Sequence, residues 1–513
     1  MFNILDCTLR DGGYYTNWDF SKETVKTYFE AFNHLPVEYL EVGYRSNPMK
    51  GYLGEYFYCP VPVLQQIKSL SNKKLVIILN EKDVRAEDAE PLLKPIAGLV
   101  DMVRIAIDPK NFERAVVLAK EVKKLGFEVG FNVMYMSTWA SQKEFLDNLP
   151  LAAGAADIFY MVDSFGGVYP QDVRDTIALV KSKVDIPLGF HGHNNMELGL
   201  INTLTAIEEG CAMVDATITG MGRGAGNLKT ELLLTVLNAQ GKLDFDFNAL
   251  SRVVDVFTDL QKYYEWGTNL PYMVSGANSL PQKNVMEWVS KRYYSFNSII
   301  RALNNTSKGQ QDNFRLPLLD FKKEPVFKSA LIVGGGPSPV EHSDAIELFL
   351  KNNPKIAVIH ASSKNAMSFK NVPNQQYFCL VGNEGYRLES VFGYSVPKKG
   401  KCILPPYPRK MGTYIPDSMK DNAYELSKIR FTDQFTDSHT AIAFQTALEF
   451  GFKSLYIVGY DGYNGVISEK EQELFNENVQ LFEAFKKNTE IELISLTRTS
   501  YKQLESQSIY SQI

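Results

Sequence analysis

Residues 187–195 read Pro187-Leu188-Gly189-Phe190-His191-Gly192-His193-Asn194-Asn195, a short apolar run that passes directly into side chains able to do chemistry. A run of this length bounded by turn residues fits a buried β-strand. Seven comparable runs lie on either side of it, at 3–6, 39–43, 75–79, 102–105, 128–134, 158–162 and 214–217. Helix-like segments separate them. Between 112 and 125 the apolar residues recur at three-and-four spacing, and Gly126 follows as a C-cap would. Strands alternating with helices predict parallel β-structure, and eight such units predict a closed TIM (β/α)8 barrel over residues 1–240 rather than an open sheet. In that fold the active site lies at the carboxyl ends of the strands.

The bulk composition narrows the function classes. A chain of 513 residues is too long for one core, and 45% hydrophobic with 22% charged residues is ordinary for a globular protein. A net charge of −5 gives no basic face for nucleic acid, so no nucleic-acid partner is expected. The five cysteines are scattered and never form a CxxC pair, which argues against a disulfide framework or a thiolate zinc site. The first residues lack a basic region leading into an apolar run, and no stretch reaches 18 uncharged apolar residues. The expectation is a cytoplasmic protein with no membrane partner.

The strand ends carry the chemistry. Strand one runs into Asp6-Cys7-Thr8-Leu9-Arg10-Asp11-Gly12-Gly13, and strand six into Asp163-Ser164-Phe165-Gly166-Gly167. After strand eight comes Gly220-Met221-Gly222-Arg223-Gly224-Ala225-Gly226-Asn227, while strands four and five carry Arg104 and Asn132. Two of the six histidines, His191 and His193, sit at one strand mouth. Residues two apart on an extended segment face the same way, so both imidazoles can address one ion. Asp11 would complete a facial set of two nitrogens and one oxygen, with Asn227 as a further ligand or an outer-shell partner. Such ligands suit a divalent metal: Mn2+ first, with Mg2+, Co2+ and Zn2+ as alternatives.

The plainer readings stand beside these. A lone His-x-His is structural about as often as it ligates. Arg10 and Arg104 could both be structural ion pairs, although Arg10 adjoins Asp11 and suits an anion. Ser164 reads by itself as a turn residue, and Glu41 is given no role.

Thr-Leu-Arg-Asp-Gly, His-Gly-His-Asn-Asn and Gly-Arg-Gly-Ala-Gly-Asn, in this order, resemble the motifs of the HMG-CoA-lyase-like (DRE-TIM) metal-dependent barrels. That group includes 4-hydroxy-2-oxovalerate aldolase, HMG-CoA lyase, and the isopropylmalate and homocitrate synthases. The resemblance covers about residues 1–300 and is nearest to the 4-hydroxy-2-oxo-acid aldolases; the cysteine that HMG-CoA lyase has in its glycine-rich loop is absent here. It implies that Asp11, His191, His193 and Asn227 form the metal site, that Arg10 is catalytic and steadies an enolate oxygen, and that Ser164, with Asn132 nearby, binds the substrate carboxylate. The implied activity is a carbon–carbon lyase that joins or separates pyruvate and an aldehyde through a pyruvate enolate. One departure stands out. The aldolases place a histidine as general acid/base where this chain has Tyr14. Either Tyr14 takes that part, or water or another side chain does, or Tyr14 only walls the pocket.

Residues 241–320 read as a helical extension and linker, with helices at 250–264 and 284–303 and polar linker segments at 304–313 and 322–325. The extension is a candidate for homo-oligomer contacts. Residues 325–513 read as a second, Rossmann-like α/β domain, with strands at 330–333, 356–360, 376–381 and 454–458. Gly334, Gly335, Gly336 and Ser338 after its first strand are candidates for binding a phosphate, nucleotide or nucleotide sugar, although Pro337 removes one donor. The segment 437–461 resembles the 6-hydroxymethylpterin pyrophosphokinase and glycosyltransferase-like Rossmann domains. Two other functions therefore compete with the aldolase: an acyl-CoA condensing synthase of Claisen type, and a nucleotide-dependent transferase seated in the second domain.

Overall fold

The structure is a computed structural model that describes residues 2–291, 295–310, 315–393, 400–409, 411–412, 414–463 and 468–513. It divides into two compact units, Met1–Glu287 and Trp288–Ile513.

The first unit is a closed barrel of eight parallel strands: β1 (Asn3–Asp6), β2 (Tyr39–Tyr44), β3 (Lys74–Asn80), β4 (Met102–Ile107), β5 (Glu128–Val133), β6 (Ile158–Asp163), β7 (Leu188–Gly192) and β8 (Met213–Ala216). β1 closes it by pairing with both β2 and β8, with Leu5 opposite Tyr39 on one side and Asp215 on the other. The period of two sorts the side chains. Ile4, Leu40, Val103, Phe159 and Val214 join the large core under the surrounding helices, whereas Leu5, Tyr39, Met102, Tyr160 and Met213 form a separate small core. Two residues further along this inward face, toward the carboxyl ends, come Glu41, Arg104, Val162 and Asp215. The inward side chains thus change from apolar to charged at the level where a barrel has its active site.

A bulge between Glu41 and Gly43 breaks the β2–β3 register beside this charged layer. Gly43 is required there, because a Cβ would lie 1.9 Å from the Tyr56 carbonyl oxygen. The predicted helix at 112–125 is Phe112–Lys124, and Gly126 follows with φ +88°.

The segment read as one extension and linker is divided. Phe247–Tyr264 and Leu270–Ala277 belong to the first unit, and the expected single helix at 284–303 is two, Gln282–Lys291 and Phe296–Ser307. Ser295 caps the second of these by accepting a hydrogen bond from the Ser298 N–H, which restarts the helix. Asn304–Ser307, expected as linker, is therefore helical, because Ile299, Ala302 and Leu303 bury an apolar face that carries the last turn. Of the rest of that expected linker, 308–310 form a turn and its end, and 311–313 lie outside the described residues.

The second unit holds one parallel sheet in the order β13-β12-β11-β10-β9-β14-β15-β16. Its strands are β9 (Ser329–Val333), β10 (Ile356–His360), β11 (Gln376–Cys379), β12 (Lys401–Leu404), β13 (Ala423–Glu425), β14 (Ser454–Val458), β15 (Glu492–Ser495) and β16 (Glu505–Ser506). The order reverses between β9 and β14, as in doubly wound Rossmann-like sheets. Sequence periodicity missed four of these strands, β12, β13, β15 and β16, of two to four residues each. No described helix is long and apolar enough to cross a membrane.

Candidate metal centre and active site

The turn after β1 is fixed from below. The Asp6 carboxylate accepts hydrogen bonds from the Thr8 N–H at 2.9 Å, Tyr28 Oη at 2.7 Å and Thr230 Oγ1 at 2.6 Å. These bonds hold the start of the helix Thr8–Thr16, which carries Arg10, Asp11 and Tyr14. Arg10 ion-pairs with Asp11 and donates through Nε to Glu41 Oε2 at 2.6 Å. Asn227, in the glycine-rich loop after β8, donates to Asp11 Oδ2 at 2.6 Å. Gly222 lets that loop close on itself, since a Cβ there would meet Asn227 Nδ2 at 2.4 Å.

Each histidine is locked through its Nδ1. His191 lies 2.8 Å from Asp215 Oδ2, and His193 lies 2.8 Å from the Asp163 carbonyl oxygen. A carbonyl can only accept, so His193 Nδ1 donates and its Nε2 stays a free lone pair. His191 Nε2 sits 3.8 Å from Asp11 Oδ2, and the two rings are 5.0 Å apart. Asp11, His191 and His193 each offer a ligand atom within 4.8 Å of the others.

Electrostatics prepare all three as ligands. Burial opposes charge on Asp11, but Arg10, His191, His193 and Asn227 outweigh it and hold the carboxyl below its ordinary range. Burial, with His193 beside it, pushes His191 well below its ordinary value, and burial lowers His193 too. Neutral imidazoles and a carboxylate are the forms a metal needs.

The residues fit a divalent cation on two further counts. Three buried carboxyl groups, Asp11, Glu41 and Asp215, face two buried guanidiniums, Arg10 and Arg104, so a positive partner is wanting. Asn227 Oδ1 is buried with no hydrogen-bond partner, an acceptor that a cation would satisfy. A second grouping, Cys7 with His191 and Asp215, is a poorer set. Burial pushes the Cys7 thiol up, its Sγ lies 3.7 Å from the Ala216 carbonyl oxygen, and Asp215 is already taken by Arg104 and His191.

The sequence-derived residues converge. Arg10, Asp11, Tyr14, Asn132, Ser164, His191 and His193 all line one cavity of about 430 Å³ at the barrel mouth. Asn132 Oδ1 accepts from Arg104 Nε at 2.8 Å, which leaves the Asn132 amide N–H groups as donors. Ser164 Oγ accepts from the Tyr135 N–H at 2.9 Å and keeps its own proton to donate. Tyr14 Oη lies 3.2 Å from Tyr44 Oη, and burial pushes the Tyr44 phenol well above its ordinary value, so Tyr44 keeps its proton.

Two residues matter that the sequence did not single out. Glu41, given no role, joins Arg10 to Arg104, whose Nη1 is 3.5 Å from Glu41 Oε1. Asp215 takes both Arg104 Nη2 at 2.6 Å and His191. A signal for both existed: each is an acidic residue on the inward face of a predicted barrel strand.

The glycine run of the second unit behaves differently from the phosphate cradle expected of it. The N–H groups of Gly334 and Gly336 donate to the carbonyls of Val458 and Gly459, and the Ser338 N–H donates to Asp461 Oδ2 at 3.0 Å. A Cβ on Gly336 would meet Asp461 Oδ2 at 2.3 Å, so close loop packing already accounts for that glycine. These three donors, engaged beside a carboxylate, are turned away from a phosphate, whereas a Cβ on Gly335 would meet only the Ser362 side chain at 3.5 Å.

Fold and site together define the class, a (β/α)8 barrel with a candidate His-x-His–carboxylate metal centre at the carboxyl ends of its strands. The HMGL-like family matches residues 102–266. The 4-hydroxy-2-oxovalerate aldolase of Bacillus thuringiensis (strain Al Hakam) is 32% identical over 267 residues, covering 49% of this chain and 74% of the relative. Its counterpart in Carboxydothermus hydrogenoformans is 32% identical over 260 residues, covering 49% and 75%. A crystal structure of the N-terminal domain of a Bacteroides vulgatus protein with a provisional aldolase name is 59% identical, with a TM-score of 0.56, covering 59% of this chain and all of that one. The chain belongs to the HMGL-like family, and its barrel is of the aldolase or lyase type.

Proposed function

We propose that the barrel forms or cleaves the bond between a pyruvate-type enolate and an aldehyde, giving or consuming a 4-hydroxy-2-oxo acid. The observation that carries this reading is the convergence of Asp11, His191 and His193 ligand atoms within 4.8 Å of one another, next to Arg10. A divalent cation held by these three, with Asn227 beside it and Mn2+ the first candidate, would supply Lewis acidity toward the keto and carboxylate oxygens of a 2-oxo acid.

The chain's own groups account for the rest. Arg10, pinned through Nε and Nη1 to Glu41 and Asp11, keeps Nη2 to share the negative charge that develops on the enolate oxygen. The Ser164 hydroxyl and the Asn132 amide are donors for the substrate carboxylate. Tyr14 stands at the cavity wall as the acid for the alkoxide of the adduct, and Tyr44, still protonated, can donate to the Tyr14 oxygen and hold it in place.

The test uses full-length protein with Mn2+ and pyruvate in D2O. Methyl-proton exchange by NMR, followed by adduct formation when acetaldehyde is added, is the expected result. Absence of both overturns the reading. Thiol release from an acyl-CoA in place of an aldol adduct would move the assignment to a condensing synthase.

A further inference from the structure

We propose that the acceptor aldehyde carries an anionic group, a phosphate or a carboxylate, distal to its reacting carbonyl. This inference rests on the aldolase reading above and names the substrate class of that same cavity.

Size is the first ground. Pyruvate and acetaldehyde together have nine non-hydrogen atoms; even at the ~30 Å³ that liquid water occupies per molecule, nine atoms fill only roughly 270 Å³. The cavity is about 430 Å³. The cavity therefore has room for an acceptor longer than acetaldehyde.

Charge is the second ground. Lys82, Arg223 and Lys283 line the cavity from three separate segments: the loop after β3, the glycine-rich loop after β8, and the helix Gln282–Lys291. Among the described residues, none of the three has an ion-pair partner. Arg223 is half-buried, its guanidinium carbon 5.5 Å from the centre of the Tyr14 ring, which places a cation beside the acid proposed for the acceptor alkoxide. Two of the three acidic lining residues are held in ion pairs. Glu81 is buried and taken by Arg114 and by Asn111 Nδ2 at 3.0 Å, and Asp11 by Arg10. Asp108, which accepts from the Lys110 N–H at 3.1 Å, keeps its charge, so three cations face one uncompensated carboxylate and the mouth stays net positive. An ordinary solvated surface would scatter such cations among acidic neighbours. Here three converge on one cavity mouth, an arrangement that attracts and orients an anion.

The bond chemistry is unchanged. Carbon 3 of the enolate joins the carbonyl carbon, and the carbonyl oxygen ends with a proton equal to the one the methyl group lost. The cations act only on the far end of the acceptor.

The test compares kcat/KM for acetaldehyde, glyceraldehyde, succinic semialdehyde and glyceraldehyde 3-phosphate with full-length protein, Mn2+ and pyruvate. At least one anionic acceptor is expected to exceed both neutral ones tenfold or more, and the faster of the two identifies carboxylate or phosphate. In Arg223→Gln, Lys82→Gln and Lys283→Gln the ratio of anionic to neutral kcat/KM is expected to contract, most in Arg223→Gln. Methyl exchange of pyruvate without acceptor reports the enolate step separately. Exchange with equal use of neutral and anionic aldehydes overturns this inference alone, as does a ratio unmoved in all three variants. Loss of exchange in the wild type removes the aldolase reading and this inference with it.

Discussion

His191 Nδ1 lies 2.8 Å from Asp215 Oδ2, and this bond turns the imidazole so that Nε2 faces Asp11. Metal-ligating histidines commonly depend on such an outer partner for ring orientation and basicity. Asp215→Asn should therefore weaken Mn2+ binding about 10- to 100-fold, beside the stability lost with the buried Arg104–Asp215 pair. Calorimetric titration of metal into the variant checks this, and an unaltered affinity would remove Asp215 from the site.

Glu41 is fully buried between Arg10 and Arg104. Removing its charge leaves two guanidiniums without a shared counter-ion. Breaking a buried pair from one side costs about 3–5 kcal/mol. Glu41→Gln, which keeps shape and one acceptor, should fall near the lower end when unfolding is followed by denaturant titration. A loss below about 1 kcal/mol would show that the network is not held by this carboxylate.

Tyr14 lines the cavity with its hydroxyl 3.2 Å from that of Tyr44. Tyr14→Phe should lower kcat for aldol addition roughly 10²- to 10⁴-fold, the usual contribution of a positioned acid. Steady-state kinetics decide it; a variant with wild-type kcat would place the acid elsewhere and leave Tyr14 as a wall.

In the second unit, His360 is buried against Phe378, its Nε2 2.8 Å from Gln376 Oε1, and burial lowers its pKa to about 4. The unfolded chain protonates this residue near 6.5, the folded chain only near 4. Stability is therefore intact above pH 6.5 and declines as pH falls from 6.5 to about 4, by about 3 kcal/mol at 1.36 kcal/mol per unit. His360→Phe removes the titration, so the stability gap between variant and wild type should move by that amount in the variant's favour between pH 7 and pH 4. A gap independent of pH contradicts the assignment.

Gly336 separates packing from ligand binding. Because a Cβ would meet Asp461 Oδ2 at 2.3 Å and the Gly459 carbonyl oxygen at 2.8 Å, Gly336→Ala should destabilise the second unit by about 1–3 kcal/mol with no nucleotide present. A thermal melt equal to the wild type, together with lost nucleotide binding, would restore the phosphate reading.

The barrel was legible because its signal is local. Each strand is a short apolar run, each helix a three-and-four pattern, and each chemical residue sits where a strand ends. The His191–His193 pair and Asp11 could be read for the same reason: residue type, spacing and strand position pointed one way. The second sheet was harder: Ala423–Glu425 and Glu505–Ser506 are too short for periodicity to register, and Lys401–Leu404 and Glu492–Ser495 keep only three and two apolar residues.

The sequence by itself determined the fold class, the rim at which chemistry gathers and the types of ligand available there. Tertiary structure alone decided how the charges pair: Arg104 with Asp215 across 111 residues, Asn227 with Asp11 across 216. It also decided that Lys82, Arg223 and Lys283 gather at the mouth without an ion-pair partner among the described residues, and that Gly334 and Gly336 pack loop against loop. The reason is range. Backbone preference and amphipathic period act over a few residues, whereas burial and charge pairing depend on which distant segments the closed barrel and the second sheet bring into contact.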